Sequence, residues 1–526
     1  MGACGTLPAS IVVNEFTSAA AVYALSGFAP TAGVAAVSFQ GKSPGLDQAF
    51  VTLKNLVVPS TGAFATGREV NAAMVQQRLN TVANAMAACN ASSTGAQCTE
   101  LFTCATVNAT FASSGQPCTG GTGTTTADTL NAGLAIVQNA GLVSMTGIFD
   151  VATVSGTAFT PALAAAPEEW TLSLVFPVRN YGPLAIDAGG HVWLLAPDPN
   201  APAPPAIPNL AVTEVDADGT FISPHQTGHD WSAGGVAMIP GNDVTNMAID
   251  QMGNVWVSGT GHTVAEINSS GAGVAGAPWS SGTGPDDTSA VAIDSAGNAW
   301  ISSGNTSSAV FEMSPAGVNL SGGGGYTTSN CPCNGLAADA LGNMWTISSG
   351  TSQYLTKLSP SGLETGAMGA GSKYIPPSGS LANFLAVATD GTGTLWIADK
   401  HYHGVWSFNT STGQYSPTPF PNNAASGTTP KGIAIDGASH KWVANNSTPF
   451  PSLTELSANG LVNLSGNDGF GFQVNTVVQG AYSIAIDGSG NVWSTDGANY
   501  LTEYVGAAAP TKNPIATAVA AGSFVP

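Results

Sequence analysis

Seven segments of the chain align without a gap: LAIDAGGHVWLL (184–195), MAIDQMGNVWVS (247–258), VAIDSAGNAWIS (291–302), LAADALGNMWTI (336–347), VATDGTGTLWIA (387–398), IAIDGASHKWVA (433–444) and IAIDGSGNVWST (484–495). Each carries Asp, at 187, 250, 294, 339, 390, 436 and 487, and each has Trp six residues later. Seven of the eleven Trp therefore occupy one repeat position. Asp187 and Asp487 are 300 residues apart in six intervals, a mean period of 50. Repetition at that length means copies of one supersecondary unit stacked to share a core.

The unit has a direct physical reading. A short apolar run ending in Asp is a buried strand. Asp followed by Gly and Asn or similar residues makes a tight turn that needs positive φ. The β-branched and aromatic run after it is a second strand. A third follows in most units: TVAEIN (263–268), AVFEMS (309–314), LTKLS (355–359), GVWSFN (404–409), LTELS (453–457) and LTEYV (501–505). Three or four antiparallel strands per repeat form a propeller blade, so seven repeats predict a mainly β, seven-bladed β-propeller over residues 169–507. The tryptophans are expected to pack between blades. The last unit lacks sequence for a fourth strand, whereas WTLSLVFPV (170–178) precedes the first repeat. That segment is expected to complete the last blade and close the ring, which removes two exposed edges. The stretch PDPNAPAPPAIPN (197–209) lengthens the first interval and reads as an extended loop.

Residues 1–168 carry a different pattern. Ala-rich helix-period segments lie at about 11–27, 46–58, 69–90, 125–139 and 142–152. Asn71, Met74, Val75, Leu79, Val82 and Met86 recur at steps of three and four, giving one apolar face. A small all-helical N-terminal domain follows, with a Cys-rich loop at 89–124. Residues 508–526 read as a Pro/Ala tail lying on the surface or disordered.

Composition narrows the function classes. Charged residues are 8% of the chain, with 11 Lys and Arg against 31 Asp and Glu, a formal charge of −20. Binding of nucleic acid by clustered cations is excluded on that balance, as is a basic membrane-surface helix. No apolar run reaches the length of a transmembrane segment. Cys89, Cys98, Cys104 and Cys118 fall within thirty residues with no C-x2-C knuckle and no nearby His. They read as local disulfides in an oxidising compartment rather than a zinc site, with three pairings open. Cys331 and Cys333 form a C-x-C pair that reads as a bridge, and Cys4 is left over. The chain is expected to be secreted, extracellular or at the cell surface.

The pattern x-A-I-D-x-x-G-N-V-W-V, followed by L-T-E/K-L-S-x-x-G, resembles the NHL-type and virginiamycin B lyase-like β-propellers. VNEFTSAAAVYALSGF (13–28), NTVANAMAACNASSTGAQCTELFTCAT (80–106), TADTLNAGLAIVQNAG (126–141) and WTLSLVF (170–176) look like the helical region of secreted NHL-repeat proteins common in acidobacteria. That likeness implies an additional β-domain upstream, which would account for the missing signal peptide and for Cys4. It specifies architecture and leaves activity open.

Ligand-contacting side chains of a propeller sit where the second strand ends and the first strand begins. Residues after the Trp strands are His262, Asn305, Asp399, Lys400, His401, His403, Asn445, Asn446 and Asp496; those leading into first strands are Asp243, Asp286, Asp287, Asn334, Asn383, Lys431 and Tyr482. The densest run is WIADKHYHGVW (396–406), where Asp399, His401 and His403 alternate and would share one side of an extended segment. Two His and a carboxylate suit metal binding or acid–base work. The seven repeat Asp, by contrast, are expected to cap their own turns. HQTGHD (225–230) reads as a polar loop.

Two functions follow. The first is an extracellular binding or scaffold protein contacting a glycan, a protein or copies of itself, using Asp286, Asp287, Asn334, Lys431, Tyr482 and Asn445. No cofactor is required for it. The second is a metal-assisted lyase or lactone hydrolase. Asp399, His401, His403 and His262 would be its catalytic candidates, and His401 and His403 would ligate a divalent ion, Mg if the protein is of the lyase type and Ca if of the gluconolactonase type.

Overall fold

The computed structural model describes residues 10–29, 44–154, 156, 158–180, 182–197, 210–223, 244–259, 263–269, 273–274, 279–280, 288–303, 309–328, 333–348, 354–365, 374–377, 382–421, 429–446, 452–466, 471–473 and 480–526. Six helices come first: α1 (Glu15–Leu25), α2 (Pro44–Leu56), α3 (Ala72–Ala91), α4 (Ala96–Cys104), α5 (Thr129–Gln138) and α6 (Met145–Val154). Seven antiparallel sheets follow, one per repeat, and they make a seven-bladed β-propeller. The Cys-rich stretch holds more structure than a loop, because α4 lies inside it. Its bridges are Cys89–Cys98 and Cys104–Cys118. Cys333 is also disulfide-bonded; Cys331 and Cys4 lie outside the described residues.

In each blade the L-A-I-D run is the inner strand, as in Leu184–Ile186 of blade 1 and Ser483–Ile486 of blade 7. The Trp run pairs beside it and the third strand pairs beyond. Ala185, Ala248, Ala292, Ala337, Ala388, Ala434 and Ala485, one per blade, all line the axial cavity. A small side chain at that point lets seven strands approach one axis.

The ring closes where the repeat count predicts. Strand Ser173–Phe176 pairs with Leu501–Tyr504, in register Leu174↔Glu503 and Phe176↔Leu501. Asn180 locks the seam: its side-chain amide donates to Val178 O, Asp496 Oδ1 and Tyr500 O, and its Oδ1 accepts from Gly497 N. The outer edge of this strand is covered by the helical region. Val70 N donates to Val175 O, and Asn71 bonds Ser173 O and Val175 N. One apolar core joins α1, α3 and α5 to blade 7, through Tyr23, Met86, Ile136, Trp493 and Tyr504 among others. Thr52 donates to Glu503, and Asn55 to Ala217 O in blade 1.

The last residues are neither loose nor peripheral. Helix α7 (Ile515–Ala521) buries Ala516, Ala518 and Val519. With Phe524 it floors an axial cavity of about 290 Å3 walled by the inner strands of all seven blades. Ala509 N donates to Asp436 Oδ2, Thr511 N to Asp487 O, and Asn513 Nδ2 to Ile486 O. Gln251 Nε2 reaches Ala516 O from blade 2 at 3.5 Å. The tail therefore crosses the channel on the side of the Asp turns. Its Pro/Ala composition carries no amphipathic period that would announce this.

Candidate functional site

The repeated Asp and Trp are partners. In every blade Trp Nε1 donates to Oδ2 of the Asp six residues before it, at 2.8–3.3 Å. The other oxygen accepts backbone N–H groups two and four residues on; Asp294, for example, takes Ala296 N and Asn298 N. The carboxylate thus ties its turn and anchors a fully buried indole. Each such charge-assisted bond contributes about 1.5–3 kcal/mol. That saturation makes the Asp ring a framework.

A second layer surrounds it. Asn254 Nδ2 donates to Asp250 Oδ2 at 3.2 Å and to Glu266 Oε1 at 2.8 Å, and Asn298 bridges Asp294 and Glu312 at the same two distances. Burial and the Asp250 charge push the Glu266 carboxyl up to about 7. In blades 1 and 6 a His stands in place of Asn. His191 Nδ1 lies 3.2 Å from Asp187 Oδ2 and 2.8 Å from Glu214 Oε1; His440 Nδ1 lies 2.7 Å from Glu455 Oε1. Its bonds to Asp187 and Glu214 push the His191 imidazolium up to about 10. One imidazole and two carboxylates are a donor set that suits a divalent ion. The Asn of blades 2 and 3 makes the same contacts, so both trios also serve as hydrogen-bond nodes. Sequence reasoning passes over His191 and His440; their alignment with Asn254 and Asn298 was the available signal.

The opposite end of the channel differs. Asp399 is buried with both oxygens engaged: Oδ1 accepts from Asn383 N and His401 N, and Oδ2 from Trp406 Nε1. Residues 400–403 form a turn, so the alternation that would gather Asp399, His401 and His403 on one side does not apply. His401 is exposed with its ring edge-on to Tyr402, and His403 adopts a left-handed backbone at φ 52°. Asn445 is turned into blade 6, donating to Ser452 and Thr454. His262, Asp286, Asp287, Asp243 and Asn305 lie outside the described residues.

Asn334 and Lys431 share a feature that composition does not reveal. In blades 2 to 6 the pairing of inner and second strands slips by one residue at its far end, between Val244 and Asn246, Thr288 and Ala290, Cys333 and Gly335, Phe384 and Ala386, and Pro430 and Gly432. The skipped residue always stands five before the repeat Asp: Thr245, Ser289, Asn334, Leu385 and Lys431. Tyr482 and Gly182 hold the same position in blades 7 and 1. A bulge frees its residue from the pleat and re-aims it, which is why bulges recur beside binding sites. These seven positions lie at the end of the inner strands opposite the Asp turns, and unlike the Asp they vary from blade to blade.

No protein-family model matches the chain, and no curated protein matches it. Solved structures do. Virginiamycin B lyase from Staphylococcus aureus is 13% identical, covering 63% of this chain and 98% of its own, with a TM-score of 0.47. Hydrazine synthase from Kuenenia stuttgartiensis is 11% identical over 62% of this chain and 95% of its own, with a TM-score of 0.45. A gluconolactonase from Xanthomonas campestris is 11% identical over 50% and 85%, with a TM-score of 0.35. Identities of this size carry nothing about activity.

Proposed function

We propose that the protein is an extracellular binding and scaffold propeller that meets its partner, a glycan or a protein surface including its own copies, at the channel mouth. The observation that carries this reading is the variable bulge ring. It offers neutral, aromatic and cationic side chains where the rest of the blade repeats, while the nearby Asp399 is consumed by its own turn. The two disulfides of the helical region support an oxidising compartment. No helix among the described residues is long and apolar enough to cross a membrane.

The test is the assembly state of the purified protein by light scattering and electron microscopy, joined to a glycan-binding screen. Ordered particles, or a saccharide that binds wild type and is lost on Tyr482→Ala, support the reading. A monomer that binds no saccharide overturns it. A stoichiometric divalent ion lost in a His401→Ala, His403→Ala double variant would transfer the site to the lyase or lactonase reading.

A further inference from the structure

Cations are scarce in this chain, 11 against 31 carboxylates, so their placement is informative. Several are consumed by the fold. Arg78 pairs with Glu169, Lys357 lies over the Trp345 ring, and Lys441 donates to Ser439 O and Ala458 O beneath Trp396. Lys400 and Lys431 are set apart by position, since among the described Lys and Arg only Arg78 makes an ion pair. They stand at the mouth of adjacent blades. Lys400 directly follows the second strand of blade 5, and Lys431 is the bulge residue of blade 6.

Lys431 is held in place. Its Nζ lies 5.2 Å from the centroid of the ring of Tyr482, which holds the equivalent position in the next blade. Tyr482 in turn rests against two glycines. A Cβ at Gly182 or at Gly497 would come within 3.2 Å of the ring, and both residues have positive φ, at 113° and 69°. Glycine at those points lets the aromatic ring lie flat with 42% of its surface exposed. Burial and the neighbouring Lys400 both weaken the Lys431 ammonium. The second strand of blade 5 packs against the inner strand of blade 6, which puts these two like charges on neighbouring strands, an arrangement in a strongly acidic protein that an anion relieves.

Resting on the binding role proposed above, we infer that the mouth over blades 5 to 7 is a subsite for an acidic saccharide, whose carboxylate or sulfate group sits between Lys400 and Lys431 against the Tyr482 ring. The ligand is a glycan rather than an acidic peptide because the equivalent position of blade 4 is Asn334, a neutral hydrogen-bonding residue type suited to hydroxyl groups, and Tyr482 offers a flat exposed ring.

The experiment is calorimetric titration of the full chain with hexagalacturonate, its fully methyl-esterified form, and a sulfated maltohexaose. Hexagalacturonate is expected to bind, about tenfold more weakly in Lys400→Gln or Lys431→Gln, in line with loss of one charge-assisted contact. Affinity is expected to fall as salt rises. Equal Lys dependence with the sulfated sugar assigns the anion to sulfate as well and supports the subsite. Binding of the esterified sugar as tightly as the acid, or acid binding indifferent to both substitutions, overturns it while leaving the glycan role intact. No binding of any of the three overturns the subsite, and overturns the binding role as well only if the protein is also a monomer that binds no other saccharide. Unchanged melting of both Lys variants separates a lost ligand from a lost fold.

Discussion

The two ends of the channel are made from the same seven strands and obey different rules. At the turn end, Asp, Gly and Trp repeat in almost every blade, and the carboxylates are saturated by backbone amides and indole N–H groups. At the mouth end, the position five before the repeat Asp, bulged in blades 2 to 6, runs Gly, Thr, Ser, Asn, Leu, Lys and Tyr. A repeated residue solves a problem every blade shares, namely how to turn a strand and anchor an indole. A varied residue answers to something outside the repeat. In this molecule repetition marks framework, and departure from it marks the positions at which the proposed partner would be met.

Five substitutions would break or sharpen that contrast. The largest effect is expected from Asp294→Ala, which leaves Trp300 Nε1 and two turn amides without their acceptor. A loss of about 4 kcal/mol in urea unfolding is expected, against about 0.5 kcal/mol for Asn334→Ala at the mouth. Equal costs would erase the distinction between the ends. Phe524→Ala should come next, at roughly 3 kcal/mol, because a buried ring leaves the channel floor. Hydrogen exchange should show the loss concentrated in residues 508–526, since a terminal segment opens locally first.

The smallest effects are expected from the layer around the Asp turns, and they depend on pH. The folded His191 titrates at about 10 against 6.5 unperturbed, so its charge stabilises below about 6.5 and that contribution is lost as pH rises through about 10. His191→Asn, the residue of the sister blades, should therefore lower the melting temperature most near pH 6 and least near pH 10. Solvent keeps the effect modest, because the imidazole is 35% exposed. Glu266 is raised to about 7 from 4.5, so its contribution is also lost as pH rises through about 7. Glu266→Gln should melt above wild type near pH 8 and level with it near pH 5. A flat pH profile for both would remove these groups from the framework.

Much of this was legible in the residues. The gapless spacing of Asp and Trp predicted seven blades, and the missing fourth strand of the last unit predicted that residues near 173 would return to it. Both follow from local pattern and from the cost of exposed edges. Helix α4 was missed because TELFTC is short and flanked by Ser, Thr and Gly; its ends are fixed by two disulfides, which act at a distance along the chain. The channel floor was missed for a related reason, since small apolar residues such as Ala516 and Ala518 reveal their burial only once seven strands surround them. At the mouth, Lys431 and Tyr482 were legible as candidates from position. Their contact, and the bulge that aims Lys431, required the register of strands that no local motif encodes. The alternation argument at Asp399, His401 and His403 failed because it assumed an extended segment where the chain turns.

The strand that seals the ring also sets a timetable. Phe176 pairs with Leu501, 325 residues further along the chain. A ribosome adding about 5–20 residues per second needs roughly 15–65 s to bridge that interval. Throughout that wait the strand has its helical cover on one edge, through Val70 and Asn71, and nothing of its own blade on the other. The propeller is thus completed only once its last blade has been made, and the helical region, made before the blades, is positioned to shelter the half-built seam until that blade arrives.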